Sequence, residues 1–248
     1  MQKHFIGLEF YLKDLFSGIS EPTNSNFKAH KVNNYQAILN RIHTYSNGKA
    51  FIATFNYDSL FENNLNEKPI TMDYYILGDI KVIKLHGSHD WVYVRRNSEI
   101  GVDYANIKDS YDLCIRYPKV FENIKKSGPP LHIKQIESSK ERNFNIFPAI
   151  VLPMTGKGKF VCPDRHTQTF ENELPKIDRV LIIGWRAEDP LLLEKLRNNL
   201  KEMSYKVLVV SSTLEEAKEI AEKVRQGLGN INSGYVEAMG SGVSGFIP

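Results

Sequence analysis

The sequence predicts an α/β fold built on a doubly wound parallel sheet, and its C-terminal third carries the clearest signal. Two short apolar runs typical of buried parallel strands, residues 179–184 and 206–210, each precede a segment with helical spacing of apolar residues. Asp189 followed by proline, and Thr213 with Glu216 as a capping box, are suited to begin these two helices. Strands and helices that alternate with short turns imply right-handed parallel crossovers, and hence a doubly wound sheet.

The N-terminal part predicts further elements of the same kind. Apolar residues recur at helical spacing over residues 8–16, and the polar residues 20–34 are predicted to form a loop. A second helix is predicted over residues 35–42. The apolar, β-rich runs at residues 50–55 and 80–85 are typical of buried parallel strands.

In the middle of the chain, apolar residues do not recur at a sustained helical or strand spacing. Residues 89–94 are predicted to continue as an antiparallel or edge strand, and residues 146–152 to form another strand. Between them, residues 95–142 mix charges, aromatic residues and turn signals. We interpret this segment as an inserted subdomain or cover with short helices, within a single domain that spans residues 1–248.

Composition narrows the classes of function. The hydrophobic fraction is 42%, the charged fraction is 25% and the formal net charge is +3, so the chain has no basic footprint for nucleic acid. Apolar stretches are too short to cross a bilayer, and the first residues lack the apolar run of a signal peptide. The two cysteines, Cys114 and Cys162, cannot form a disulfide framework or a four-cysteine zinc module. We therefore expect a cytoplasmic protein without bound zinc or any other metal.

Polar side chains follow three of the predicted strands. They lie in the runs TFNYD at residues 54–58, LHGS at residues 85–88 and GWRAED at residues 184–189. Ligands of open parallel sheets bind at the carboxyl ends of the strands. The three runs are therefore expected to converge on one site.

These runs resemble the motifs of sirtuins, and in particular those of sirtuin-like domains from bacterial antiviral defence. FNYD at residues 55–58 is similar to the Thr-Asn-Tyr-Asp motif of such domains. KLHGS at residues 84–88, with Trp91 after it, resembles their Lys-Leu-His-Gly-Ser segment. IIGW at residues 182–185, with Asp189 downstream, resembles their Ile-Gly-Tyr segment. The order and spacing agree, and three motifs together are more specific than any one of them.

The resemblance implies a Rossmann-like fold, NAD as the ligand and cleavage of the nicotinamide–ribose bond as the chemistry. Asn56 would hold a ribose hydroxyl or the attacking water, and His86 would act as a general base. Asp58 would face the nicotinamide amide, Gly184 would approach the ribose or phosphates, and Ser211 would contact the adenosine half. The cofactor-binding set that the resemblance implies is Thr54, Phe55, Asp58, Gly87, Gly184, Trp185, Asp189 and Ser211.

Each of these roles competes with a structural one. Asp58 and Asp189 are suited to cap the helices that begin just after them. Asn56 and Ser211 are ordinary turn residues, and His86 is compatible with a packed position in the core. For Asn56 and His86 the matched motifs favour the catalytic role.

The sequence departs from the family pattern in two places. Sirtuins and their relatives open with a strand and a glycine-rich turn that binds the cofactor phosphates, and no such run precedes Leu8. We therefore expect the chain to lack this strand and turn, which a partner chain or an upstream segment would have to supply. Protein deacetylases of the sirtuin class also carry the zinc module that two cysteines cannot build.

Four functions remain open on these grounds. The leading hypothesis is an NAD-hydrolysing domain of the antiviral-defence type, and the second is a non-catalytic module that senses NAD or ADP-ribose. A protein deacylase is disfavoured without a zinc module, and the fourth hypothesis is a structural part of a larger defence assembly. The expected partners are NAD and either a second copy of the chain or another defence protein.

Overall fold

The computed structural model describes residues 2–30, 33–102, 107–137, 144–152, 160–200, 206–229 and 236–242. In the first half of the chain, two helices precede three strands and three helices follow them. In chain order the elements are α1 (Gln2–His30), α2 (Asn34–Ser46), β1 (Ala50–Thr54), β2 (Ile80–Lys84), β3 (Gly87–Arg96), α3 (Asn97–Ile100), α4 (Ser110–Arg116) and α5 (Pro118–Lys126). Short 3-10 helices at Glu62–Asn64 and Asp73–Tyr75 lie between β1 and β2.

In the second half, strands and helices alternate as the apolar pattern predicts. The elements are β4 (Leu131–His132), α6 (Ile133–Glu137), β5 (Phe144–Ile150), α7 (Asp164–Glu173), β6 (Arg179–Ile183), α8 (Pro190–Asn199), β7 (Lys206–Val210), α9 (Leu214–Leu228) and β8 (Val236–Met239). No helix in the described ranges combines the length and the apolar character needed to cross a membrane.

Parallel strands form two sheets. β1 pairs with β2 from Ala50 opposite Ile80 to Thr54 opposite Lys84. β6, β7 and β8 form the second parallel sheet in that order, and α8 and α9 make its two crossovers. The predicted α/β class with parallel strands is confirmed. Within the described residues, the parallel strands form two sheets, β1-β2 and β6-β7-β8, where the sequence predicts one.

The third sheet is antiparallel and joins the middle of the chain to the core. Its order is β4-β3-β5, so the segment at residues 89–94 is antiparallel, as one of the two predicted alternatives states. It is not an edge strand, because Val92 pairs with Leu131 of β4 and with Pro148 of β5. Trp91 and Val92, both fully buried, lie at its centre.

One hydrophobic cluster connects the sheets and the middle segment. It contains Ile83 of β2, Phe147 of β5 and Val209 of β7, all fully buried. Leu113 of α4 and Phe121 of α5 belong to the same cluster and are also fully buried. The short helices predicted within residues 95–142 are present; α4 and α5 pack into this core, whereas α6 has no buried residue.

The predicted loop at residues 20–34 is wrong, because α1 continues to His30. Polar residues do not end a helix that is already nucleated, since each further residue adds a backbone hydrogen bond. The apolar period therefore predicts the first part of α1 but not its C-terminal end. The predicted cap is confirmed at α8, where Asp189 Oδ1 accepts a hydrogen bond from the Leu192 backbone at 2.8 Å.

Candidate active site

Aromatic rings connect the carboxyl ends of β1, β2 and β6. Phe55, directly after β1, lies edge-on to His86, which follows β2, with ring centroids 4.6 Å apart. Phe55 also stacks on Trp185, which follows β6, at 6.1 Å and an interplanar angle of 24°. The structure therefore brings together one residue from each of the three predicted runs.

His86 is paired with a carboxylate. Its Nε2 lies 3.6 Å from Oδ2 of Asp189, and the two side chains are 16% and 19% exposed. Asp189 also caps α8 through its other oxygen, so the helix start fixes where the carboxylate lies. The pair is partly open to solvent. Both roles that the sequence left open for Asp189, cap and site residue, are compatible with this geometry.

Asn56 is oriented but exposed. Its backbone N–H donates to Thr54 Oγ1 at 3.1 Å, and its side chain hydrogen-bonds to Tyr35 of α2. Burial, reinforced by the charges of Asp58 and Glu62, raises the pKa of Tyr35 to about 12, so the phenol stays protonated at neutral pH. Tyr35 is a site neighbour that the sequence reasoning missed, since it belongs to a helix outside the three runs.

A buried ion pair holds the loop after β1 against β2. Lys84 Nζ lies 2.6 Å from Glu62 Oε1, and the two side chains are 0% and 4% exposed. The same ammonium donates to the carbonyl oxygen of Asp58. Burial raises the pKa of the Glu62 carboxyl, and the charge of Lys84 opposes that shift. Lys84 is the last residue of β2 and Lys81 lies within the same strand, so no sequence signal indicated that one of these lysines is buried beside Glu62.

Asp58 occupies a tight turn. Its Oδ1 accepts a hydrogen bond from the Leu60 backbone at 3.0 Å, two residues along the chain, as an Asx turn does. The helix that Asp58 was expected to cap does not begin after it, because the 3-10 helix starts at Glu62 with Phe61 as its N-cap; the predicted cap is therefore wrong. A contact of Asp58 with a nicotinamide amide stays a prediction.

Gly87 has a steric role. Its φ is +80°, and a Cβ at this position would lie 1.8 Å from the carbonyl oxygen of Ala149 on β5. The neighbouring Ser88 donates to the Tyr57 carbonyl oxygen at 3.1 Å. These contacts fix the backbone just after His86. A contact between Gly87 and a cofactor stays a prediction.

A large cleft opens between β1 and β6. Its volume is about 1640 Å³, and Thr54, Asn56, Asp58 and Gly184 line it. Gly184 has a φ of +65° and no atom within 4 Å of the position of a Cβ, so a ligand can approach its backbone closely. The predicted site residues thus form two groups, one that lines the cleft and the aromatic group around His86.

Ser211 is engaged by a neighbouring carboxylate. Its hydroxyl donates to Glu216 Oε2 at 2.6 Å, and Ser212 donates to the same oxygen at 2.7 Å. These two hydrogen bonds lower the pKa of Glu216. Thr213 caps α9 as predicted. The predicted capping box would have the Glu216 side chain accept from the backbone N–H of Thr213. Its carboxylate instead accepts hydrogen bonds from the hydroxyls of Ser211 and Ser212.

The histidines and cysteines do not gather into a metal centre. Across the described ranges, no group of three or more His, Cys, Asp or Glu side chains is placed to hold a metal ion. His89 lies between the hydroxyls of Ser17 and Ser59, at 3.1 and 3.2 Å. Cys114 and Cys162 are both buried free thiols.

Comparisons with solved structures give distant likenesses, two of them to sirtuin structures. No family model matches the chain, and no curated protein matches it. A structure concerning the basis of sirtuin substrate affinity shares 15% sequence identity, covering 73% of this chain and 59% of that one, with a TM-score of 0.38. A structure concerning the mechanism and regulation of Sir2 enzymes also shares 15% identity, covering 88% of this chain and 85% of that one, with a TM-score of 0.36. The chain thus spans little more than half of the first structure. Both TM-scores are below 0.5, so these likenesses carry no assignment of function.

Proposed function

We propose that the chain is an NAD-binding domain of the sirtuin-like type that hydrolyses the nicotinamide–ribose bond, releasing nicotinamide and ADP-ribose. The observation that best supports this is the His86–Asp189 pair, which lies against Phe55, the residue before Asn56. The proposal includes the cytoplasmic, antiphage-defence setting that the motif resemblance implies.

The reaction needs a base that stays correctly placed. As the bond from ribose C1′ to the nicotinamide nitrogen breaks, a bond from C1′ to the water oxygen forms, and nicotinamide leaves as a neutral ring. The water gives one proton to the imidazole of His86. The Asp189 carboxylate, 3.6 Å from Nε2, stabilises the resulting imidazolium, in the way that a carboxylate supports a histidine base in other hydrolases.

Binding is assigned to both groups of site residues. Asn56, which lines the cleft, presents an amide that can donate to and accept from a ribose hydroxyl or the attacking water. Phe55 and Trp185 offer ring faces for a planar base, and the open backbone at Gly184 suits the ribose or a phosphate. A contact of Ser211 with the adenosine half requires its hydroxyl to exchange the hydrogen bond with Glu216.

Nicotinamide release from NAD tests this proposal. We expect Asn56→Ala and His86→Ala each to reduce the rate by about 100-fold or more, the usual effect of removing a general base or its positioned water. Asn40→Ala and His43→Ala, both on exposed positions of α2, are the matched controls and should keep the rate of the unaltered chain. Tight NAD binding without nicotinamide release would refute hydrolysis, and full activity in both site variants would refute the roles assigned to Asn56 and His86.

A second candidate function is sensing of NAD or ADP-ribose without turnover. The open cleft beside Asn56 and Gly184 favours it, because within the described residues no strand lies between β1 and β6 to complete the walls around a bound phosphate. Calorimetric titration separates the two functions. Sensing predicts saturable binding of NAD or ADP-ribose with no nicotinamide in the mixture, and hydrolysis predicts its accumulation.

A further inference from the structure

The run at residues 54–58 presents two different faces. The cleft is lined by its even-numbered residues, Thr54, Asn56 and Asp58. Phe55 and Tyr57, which are also within the described part of the chain, do not line the cleft, since the side chains of an extended segment alternate between its two sides. Both of their rings contact the imidazole of His86. The Phe55 centroid lies 4.6 Å from that of His86, and the Tyr57 ring stacks on the imidazole at 6.5 Å and an interplanar angle of 27°.

The hydroxyl of Tyr57 is anchored on Val151, which directly follows β5. It donates a hydrogen bond to the Val151 carbonyl oxygen, and the Val151 backbone N–H donates to the carbonyl oxygen of His86 at 2.9 Å. Burial raises the pKa of Tyr57 to about 12, so the hydroxyl keeps its proton and remains a donor at neutral pH. The peptide groups on either side of Val151 therefore bind both the ring of Tyr57 and the backbone of His86.

Further contacts hold the rest of Tyr57 in place. Its carbonyl oxygen accepts hydrogen bonds from the Ser88 hydroxyl at 3.1 Å and from the His89 N–H at 2.9 Å. Phe16 of α1 packs against its ring, with the two centroids 5.3 Å apart. The side chain is buried, and a ring that is packed and hydrogen-bonded in this way is suited to hold a neighbouring side chain in one orientation.

We propose that Tyr57 is a positioning residue: its ring, fixed by the hydrogen bond to Val151, holds the His86 imidazole in place against Asp189. The part that Tyr57 plays in turnover rests on the hydrolytic function proposed above. A base that takes a proton from water must keep one orientation, because small misplacements of a reacting group cost much of the rate. Tyr57 therefore acts on the reaction through His86.

The geometry favours this role over direct contact with NAD. Tyr57 does not line the cleft, and its hydroxyl already donates to Val151. Asn56 lies between Phe55 and Tyr57 in the chain, so the two residues that contact His86 also flank the amide that lines the cleft. A movement of the Tyr57 ring therefore changes where the imidazole lies relative to Asn56.

Two substitutions in the full chain separate the hydroxyl from the ring. Tyr57→Phe removes the hydrogen bond to Val151 and keeps the ring, whereas Tyr57→Leu removes both. We expect kcat for nicotinamide release to fall about fivefold in Tyr57→Phe, the factor that one net hydrogen bond represents. Tyr57→Leu should lose a further factor of about 2–10, the worth of an aromatic pair. KM should change by less than about twofold in both variants, because neither removes a group that lines the cleft.

Proton NMR of the chain without NAD tests the position of His86 independently of any activity. The ring-proton signals of His86 are assigned by their loss in His86→Ala. Tyrosine and phenylalanine rings have similar ring currents, so a shift of these signals in Tyr57→Phe reports that the rings have moved, and we expect such a shift. Tyr93→Phe is the matched control, because Tyr93 is also buried but lies within β3. It should leave the His86 signals and kcat unchanged.

His86 signals that stay in place in Tyr57→Phe would overturn the proposal. A rise in KM at constant kcat would also overturn it, since Tyr57 would then be a binding residue. An equal loss of kcat in Tyr93→Phe would do the same, because the effect would be that of any buried hydroxyl. If the unaltered chain releases no nicotinamide and Tyr57→Phe still shifts the His86 signals, hydrolysis is refuted and the positioning of His86 by Tyr57 is supported.

Discussion

Alanine at Gly87, compared with alanine at Gly78, separates the conformational cost of a positive φ from the steric cost of an added methyl group. Gly87 and Gly78 both have a positive φ, at +80° and +84°. An added methyl group at Gly78 meets no atom within 4 Å, whereas at Gly87 it would lie 1.8 Å from the Ala149 carbonyl oxygen and 2.8 Å from its carbon. Gly78→Ala therefore measures the conformational cost alone, and Gly87→Ala measures that cost plus the collision.

The expected magnitudes follow from that difference. The left-handed conformation costs an L-residue about 1–2 kcal/mol, which sets the expected loss of unfolding free energy for Gly78→Ala. Forcing an extra carbon into a packed interior adds about 1–3 kcal/mol, and the obstacle here is backbone that can move only if β3 and β5 separate. Gly87→Ala should therefore lose roughly 2–5 kcal/mol in total.

Urea denaturation followed by circular dichroism measures both variants against the unaltered chain. A difference of about 2 kcal/mol between them corresponds to roughly 4–8 °C in Tm for a chain of this size. Because His86 precedes Gly87, the shift should also reduce any NAD hydrolysis. Equal loss of stability in the two variants would refute the steric role of Gly87.

Two further predictions concern buried charges. Lys84→Met should lower the unfolding free energy by about 3–5 kcal/mol, because it leaves the Glu62 carboxylate buried without its partner. The double variant with Glu62→Leu should recover much of that loss. A double variant less stable than Lys84→Met alone would contradict this prediction. Burial lowers the pKa of His166 and of His89, so the unfolded chain binds more protons below a pH of about 6.5, and stability should fall between about pH 7 and pH 5. His166→Gln keeps a donor for the Met72 carbonyl oxygen and should flatten this dependence in urea denaturation at both pH values, whereas an unchanged slope would exclude His166 as its source.

The strand ends were predictable because they depend on residues that are close together in the sequence. An apolar run followed by polar residues predicts a buried strand and its exposed end, and parallel pairing places such ends side by side. Thr54 opposite Lys84 in the β1–β2 register is enough to bring Phe55 to His86. The cap at Asp189 was predictable for the same reason, since it depends on a backbone group three residues away.

What the sequence could not show depends on contacts between distant residues. The partners Lys84 and Glu62 are 22 residues apart, and no local pattern links them. The sequence leaves Ser211 open between a turn role and a ligand role, and the capping box expected of Thr213 and Glu216 gives no sign that Glu216 accepts the Ser211 hydroxyl. The end of α1 was missed because residues 20–30 are mostly polar and carry no apolar period in the sequence.

Asp189 joins a folding interaction to a chemical one within a single carboxylate. One oxygen accepts from the Leu192 amide and the other faces His86. A ligand or a proton that moves the Asp189 carboxylate toward His86 therefore changes its hydrogen bond at the first turn of α8. The coupling is reciprocal, so a change at this helix start also changes the position of the carboxylate relative to His86. The Leu192 amide is a built-in reporter of the histidine: its NMR shift registers a ligand at His86 without any label at the site.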